Sequence, residues 1–172
     1  MKEGMNEVFL GLGGNIGQRL AVLRGALALI EDEIGVVTKR SPIYETQAWG
    51  SNSEHLYLNQ VIKIETKFNA SRVLNIIGRI ESTFGRKRTL DQNADRSIDI
   101  DILFFNSDII DSPDLQVPHP KLHLRNFVLY PLCDIESEFK HPILLMSMAE
   151  LKKMCKDPLT VKRVDGMIDG KG

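Results

Sequence analysis

The chain has 172 residues, 22 basic and 23 acidic side chains, a formal net charge of −1 and 42% hydrophobic residues. That length suits one domain, residues 1–172, able to bury its own core. The balanced charge excludes the bulk positive field that draws nucleic acid, and the lack of a bilayer-length apolar run or apolar leader excludes a membrane and points to the cytoplasm.

Val8-Phe9-Leu10 predicts a first strand from Glu7 to Leu12, with Gly11, Gly13 and Gly14 punctuating its end. Leu20, Leu23, Leu27 and Ile30 recur at helical spacing and predict a helix over 18–33, with Asn15 as its cap and Gly35 as its stop. Val36 and Val37 open a second strand to Ser41, Pro42 breaks it, and residues 43–46 resume it. A polar loop over 47–54 carries Trp49, the only tryptophan, expected to be exposed. Leu56 to Glu65 reads as a third strand. Val73, Leu74, Ile77, Ile80 and Phe84 form the apolar stripe of a helix over 70–84 that Asn69 can cap.

Residues 85–96 have the composition of a mobile loop and lead into Ile98-Asp99-Ile100-Asp101-Ile102, a fourth strand. A short strand pair follows, near Ile109-Ile110 and over 115–117, and Pro118-His119-Pro120 restricts the backbone beyond it. Leu122 to Leu132 predicts a short helix ending near Pro131. Ser147-Met148-Ala149-Glu150 has the form of a capping box for a helix through Lys153. Cys133 and Cys155 lack paired-ligand spacing and read as free thiols. From Asp165 the tail is glycine-rich and expected to fray.

The order strand, helix, strand, strand, helix, strand is that of an α+β, ferredoxin-like split βαβ sandwich. A four-stranded antiparallel sheet would carry two helices on one face, and its second face would take the C-terminal segments or a ligand.

Asp99 and Asp101 share one face of their strand and the isoleucines share the other, because side chains alternate with a period of two. Carboxylates about 6–7 Å apart along a strand repel and lose hydration when partly buried, and a hard cation relieves both costs. The plain alternative is an acidic, solvated strand face. Arg86, Lys87, Arg88 and Arg96 crowd like charges just upstream, so the stretch offers ligands for an anion beside ligands for a cation, as a Mg²⁺-polyphosphate requires. Alone, they read equally as a solvated basic loop. His119, held between prolines, suits a donor to a phosphate oxygen or an ordinary structural role. Tyr57, Asn59 and Phe127 suit a flat organic substrate or simple packing. The glycine run from Gly11 to Gly17 lacks the ending of a P-loop, and a tight turn with close backbone approach is its plain reading.

These segments resemble the 6-hydroxymethyl-7,8-dihydropterin pyrophosphokinases of folate biosynthesis. The likeness rests on Leu12-Gly13-Gly14-Asn15, Tyr57-Leu58-Asn59, Ile80-Glu81, Gly85-Arg86, Arg96 to Leu103, Val117-Pro118-His119-Pro120 and Arg125 to Leu132, and spans about residues 6–158. It implies a ferredoxin-like fold and transfer of pyrophosphate from ATP to the pterin hydroxymethyl group, leaving AMP, with two Mg²⁺ ions. By the same resemblance, Asp99 and Asp101 hold the metal, and Arg86 and Arg96 join them in catalysis. Thr46, Tyr57, Asn59 and Phe127 bind the pterin. Glu81, Arg88, Ile102, His119 and Arg125 bind ATP. A monomer suffices for such a site, and contact with other folate enzymes is compatible with it.

Departures from the family pattern are Gln47-Ala48 where two prolines often stand, Asn93 or a neighbour at the place of a lid tryptophan, which implies either weaker ordering of the closed loop or a substitute from Leu90, and Asp114 in place of a basic residue. Gly14 replaces an alanine or serine, a change expected to be harmless. Two other classes share the scaffold: an RNA-binding module, disfavoured by the lack of paired sheet aromatics, and an acylphosphatase-like hydrolase.

Overall fold

A computed structural model of the chain describes residues 4–50, 52–85 and 95–164. Among them the elements run β1 (Asn6–Gly14), α1 (Arg19–Glu33), β2 (Val36–Arg40), β3 (Tyr44–Thr46), β4 (Tyr57–Thr66), α2 (Ala70–Thr83), β5 (Asp99–Phe105), β6 (Ile110–Asp111), β7 (Gln116–Val117), α3 (Asn126–Glu136), α4 (Met148–Met154) and β8 (Val161–Arg163). One sheet has the order β5-β1-β4-β3-β8, with β2 also on β4, and β6 pairs with β7 separately. All of these pairings are antiparallel.

The expected four-strand core is present, its second strand split in two. β2 pairs with the far end of β4 and β3 with its near end. Pro42 interrupts the ladder, and Ser41 repairs it: its N–H donates to Val61 O, its Oγ accepts from Val61 N, and its carbonyl accepts from Gln60 Nε2. β8, which has no counterpart in the sequence reading, extends the sheet beyond β3.

Alternation along β1 separates two cores. Val8, Leu10 and Leu12 pack with Leu23, Ala26 and Ile30 of α1 and with Val73, Ile77 and Ile80 of α2. Phe9 faces the other way, with Val61, Leu103 and Phe104, under Val128, Leu129 and Leu132 of α3 and Met148 and Leu151 of α4. The C-terminal helices thus cover part of the second sheet face. Asn69 caps α2 by accepting from Arg72 N, and Ser147 and Glu150 form the expected capping box on α4.

Two helix readings are corrected. Asn15 does not cap α1, which begins after Gln18 with no side-chain cap. The segment after His119 forms a short 3-10 turn at Leu122–Leu124, and α3 then runs through Pro131 to Glu136. Asp157 Oδ2 accepts the Asn126 N–H that opens α3. Burial of Val128, Leu129, Pro131 and Leu132 outweighs the backbone hydrogen bond that proline forgoes.

Candidate active site

α3 and α4 leave the end of the second sheet face near Gly13 open, and a cleft of about 130 Å³ lies there. Its floor is Gly11 and Gly13 of β1, flanked by Asp99, Asp101 and Leu103 of β5 and by Tyr57, Asn59 and Val61 of β4. These residues alternate with the isoleucines and leucines of the first core, so strand period alone aims them outward. Gly11, Gly13 and Gly14 are therefore strand rather than phosphate loop, while the close backbone approach read from the sequence is met at Gly14 and the turn at Gly17, whose φ is 74°. A Cβ on Gly13 would lie 2.8 Å from Asn59 Oδ1, so the floor stays low enough for a ligand to reach the sheet.

Asp99 and Asp101 share one face as their spacing requires. A register shift in the β1–β5 ladder then lets Leu103 and Phe104 both join the second core. At that irregularity Leu103 O accepts the backbone N–H of His119, which seats the histidine beside β5. Lys121 N donates to His119 Nδ1 at 3.2 Å, leaving the ring proton on Nε2. Burial, reinforced by the Arg125 charge, pushes His119 down to about 4, so at neutral pH it is a neutral donor.

β5 is an edge strand, and a shallower groove runs along its outer side. Ile100, Asp101, Ile102, Asp111, Asp114 and His119 are among its walls. Asp101 borders both this groove and the cleft. Glu81, 8% exposed, accepts the outward Ile100 N–H at 2.9 Å. By strand period, Ile102 presents its backbone polar groups on the same outer edge.

Arg96 binds Asp99 at 3.1 Å and hydrogen-bonds the Tyr57 hydroxyl. Burial raises that hydroxyl above its ordinary pKa, with Arg96 opposing. Asn15, misread as a cap, grips the chain at Arg96 instead. Its N–H donates to Arg96 O, its Oδ1 accepts from Arg96 N, and its Nδ2 donates to Asp95 at 2.7 Å. Ser53 donates to the same Asp95 oxygen. At Gly14 a Cβ would lie 2.1 Å from Ser97 O, so β1 approaches this segment as closely as it does because the residue is glycine.

Thr46 is buried, and its Oγ1 accepts from Asn59 Nδ2 at 2.9 Å, which fixes the amide that faces the cleft. Phe127 and Tyr57 are half-buried in the cleft lining. Trp49, expected to be exposed, is also half-buried there, with the Arg125 guanidinium 4.6 Å from its ring centroid and 5.5 Å from that of Phe127. Burial lowers the Arg125 pKa, and the Asp101 and Asp99 carboxylates oppose the shift. Sequence reasoning missed Trp49 and Asn15, whose partners are remote in sequence. The lone Trp beside a glycine was the available signal for the first. Arg86, Arg88, Leu90 and Asn93 lie outside the described residues, as does the tail from Asp165.

The arrangement can hold a flat ring over the glycines, phosphates near Arg96, Arg125 and His119, and a hard cation on the carboxylates. Among the described residues no group of three or more His, Cys, Asp or Glu forms a complete metal cage. Two strand carboxylates completed by phosphate oxygens and water are nevertheless the donor set that Mg²⁺ ordinarily takes at a nucleotide, so these residues fit it.

A sequence model described as 7,8-dihydro-6-hydroxymethylpterin-pyrophosphokinase matches residues 9–137. A 2-amino-4-hydroxy-6-hydroxymethyldihydropteridine pyrophosphokinase of Aquifex aeolicus is 37% identical over 148 residues, covering 86% of this chain and 91% of that one. The protein of the same name in Bacillus subtilis is 40% identical over 131 residues, covering 76% and 78%. Among solved structures, wild-type Plasmodium falciparum HPPK-DHPS with pteroate superposes at TM-score 0.72 and 19% identity, covering 87% of this chain. That likeness shows the fold alone, and this chain spans 42% of the Plasmodium chain.

Proposed function

The chain belongs to the 7,8-dihydro-6-hydroxymethylpterin-pyrophosphokinase family, enzymes of folate biosynthesis, and from that membership we propose that it transfers pyrophosphate from ATP to 6-hydroxymethyl-7,8-dihydropterin in a Mg²⁺-dependent reaction that releases AMP. The observation that supports this reading is the position of Asp101, which borders both the aromatic cleft and the groove along β5. A pterin in the cleft and a nucleotide in the groove would meet at that carboxylate.

In this reading Tyr57 and Phe127 hold the ring between them, and Asn59, oriented by Thr46, reads its polar edge. Ile102 offers backbone groups to the adenine. Glu81 anchors the β5 edge beside it through Ile100 N. The pterin hydroxyl oxygen attacks the β-phosphorus, the bond from that phosphorus to the α–β bridging oxygen breaks, and the hydroxyl proton is released. AMP leaves carrying the bridging oxygen. Asp99 and Asp101 would hold the metal, which when bound neutralises triphosphate charge and relieves the repulsion between the two carboxylates. Arg96 and Arg125 bring positive charge to the same place, and the neutral His119 donates from Nε2 to a phosphate oxygen. Arg86 and Arg88 are assigned to the phosphates by the resemblance alone.

Product analysis tests the reading. ATP, Mg²⁺ and the reduced pterin together should yield AMP, and omission of the pterin or the metal should stop it. Asp101→Ala should lower kcat by about 10²–10³-fold, as loss of preorganised charge at a transferring group does. ADP as the product, or full turnover without Asp101, would overturn it. Family membership sets aside the RNA-binding and acylphosphatase-like readings.

A further inference from the structure

Trp49 belongs to the polar loop between β3 and β4, yet its ring lies under the guanidinium of Arg125, the residue that precedes α3. The stack joins residues remote from each other in the sequence. Arg125 Nε is buried and has no hydrogen-bond partner among the described residues, so none of them orients this edge of the guanidinium by polar contact. The charges that act on Arg125 most strongly are Asp101 and then Asp99. An aromatic face within about 6 Å attracts a cation, and more strongly where the cation is partly desolvated.

We propose that Trp49 is a positioning residue. Its ring face holds the Arg125 guanidinium at the angle from which it meets the triphosphate beside Asp99 and Asp101. This rests on the function proposed above and adds a residue to it. The stack is part of the cleft lining, where the Arg125 guanidinium lies 4.6 Å from the Trp49 centroid and 5.5 Å from that of Phe127. A planar guanidinium in contact with two aromatic rings has fewer orientations to lose when it binds phosphate. Trp49 therefore acts on nucleotide affinity even with the cleft empty. A mere wall of the ring pocket would act on pterin affinity alone.

The experiment has two arms. Trp49 is the only tryptophan of the chain, so its emission reads the stack directly. Arg125→Met is expected to change that emission in the free protein, and unchanged emission would overturn the proposal. The second arm measures binding of a non-hydrolysable ATP analogue with Mg²⁺ and no pterin. Trp49→Leu should weaken it about fivefold, as loss of a partly desolvated cation–aromatic contact does. Trp49→Phe should restore most of the loss, and Trp49→Leu should add nothing in the Arg125→Met background. Unchanged analogue affinity in Trp49→Leu, or an equal loss in both backgrounds, would overturn the proposal. A wild-type chain that bound no nucleotide would sink the proposed function and the triphosphate part of this inference with it, whereas the emission arm would still decide the stack.

Discussion

At the scale of single residues, neighbouring glycines of one strand do different work. Gly14 lies against backbone: a Cβ there would be 2.1 Å from Ser97 O and 2.9 Å from Ser97 C, and neither can rotate away. Gly13 lies against a side chain, Asn59 Oδ1, at 2.8 Å. Gly14→Ala must therefore push β1 away from the segment that carries Arg96, and should destabilise the fold by about 1–3 kcal/mol, the usual range for overpacking. Gly13→Ala should cost less stability, because a side chain gives way more readily than backbone, but it displaces the Asn59 amide from its Thr46 hydrogen bond and should therefore raise KM for the pterin. Denaturant midpoints and pterin KM for the two variants check this. Equal midpoints, or a Gly13→Ala enzyme with unaltered pterin KM, would contradict the assignment of floor and clamp. This contrast was not legible in the sequence, where Gly13 and Gly14 are adjacent members of one run. The Asp99 and Asp101 pair was legible, because strand period depends only on local spacing.

Among the elements, the turn from Lys140 to Ser147 that feeds α4 depends on one titratable side chain. His141 is 4% exposed, and its Nδ1 accepts from Ile143 N at 3.2 Å and Leu144 N at 3.1 Å. Burial, with His123 nearby at a ring separation of 6.3 Å, pushes His141 down to about 4 from its ordinary 6.5. Between those values the unfolded chain binds the proton and the folded one does not. Stability is thus fully present above about pH 6.5 and falls as the pH drops toward 4. Over pH 7 to 5 this one group should remove on the order of 2 kcal/mol. His141→Asn keeps an acceptor near Nδ1 and removes the proton site, so its stability should fall less steeply over that range. Parallel urea midpoints at pH 7 and pH 5 would show this, and identical slopes would refute it. Elements with strong local signals, such as the Asn69 cap, the Ser147 box and the α2 stripe, were readable from sequence. α3 was not, because its start is fixed by Asp157, 31 residues away from Asn126, and proline was taken for its end. β8 was hidden for the same reason: it is short, largely exposed, and defined by its partner β3.

For the molecule as a whole, a formal charge of −1 supplies no long-range attraction for a polyanionic nucleotide. Affinity must come from short-range groups at the junction of cleft and groove, where Asp101 lines the cleft with Arg96 and Arg125 and the groove with His119. Without a cation, the two strand carboxylates oppose the triphosphate and cancel part of what the arginines contribute. Ligand binding is therefore expected to couple to global stability only when the metal is present. At about 100 times its Kd, a Mg²⁺-bound ATP analogue should add about 2.7 kcal/mol. For a domain of this size that is a rise in Tm of roughly 5–10 °C. The analogue with a chelator should give a much smaller rise. Asp101→Asn should make the shifts with and without metal converge, because the amide keeps the shape of the carboxylate and loses its charge. Scanning calorimetry of both proteins under both conditions reads this directly. A wild-type shift that ignored Mg²⁺ would mean that the strand carboxylates serve the fold and not the nucleotide.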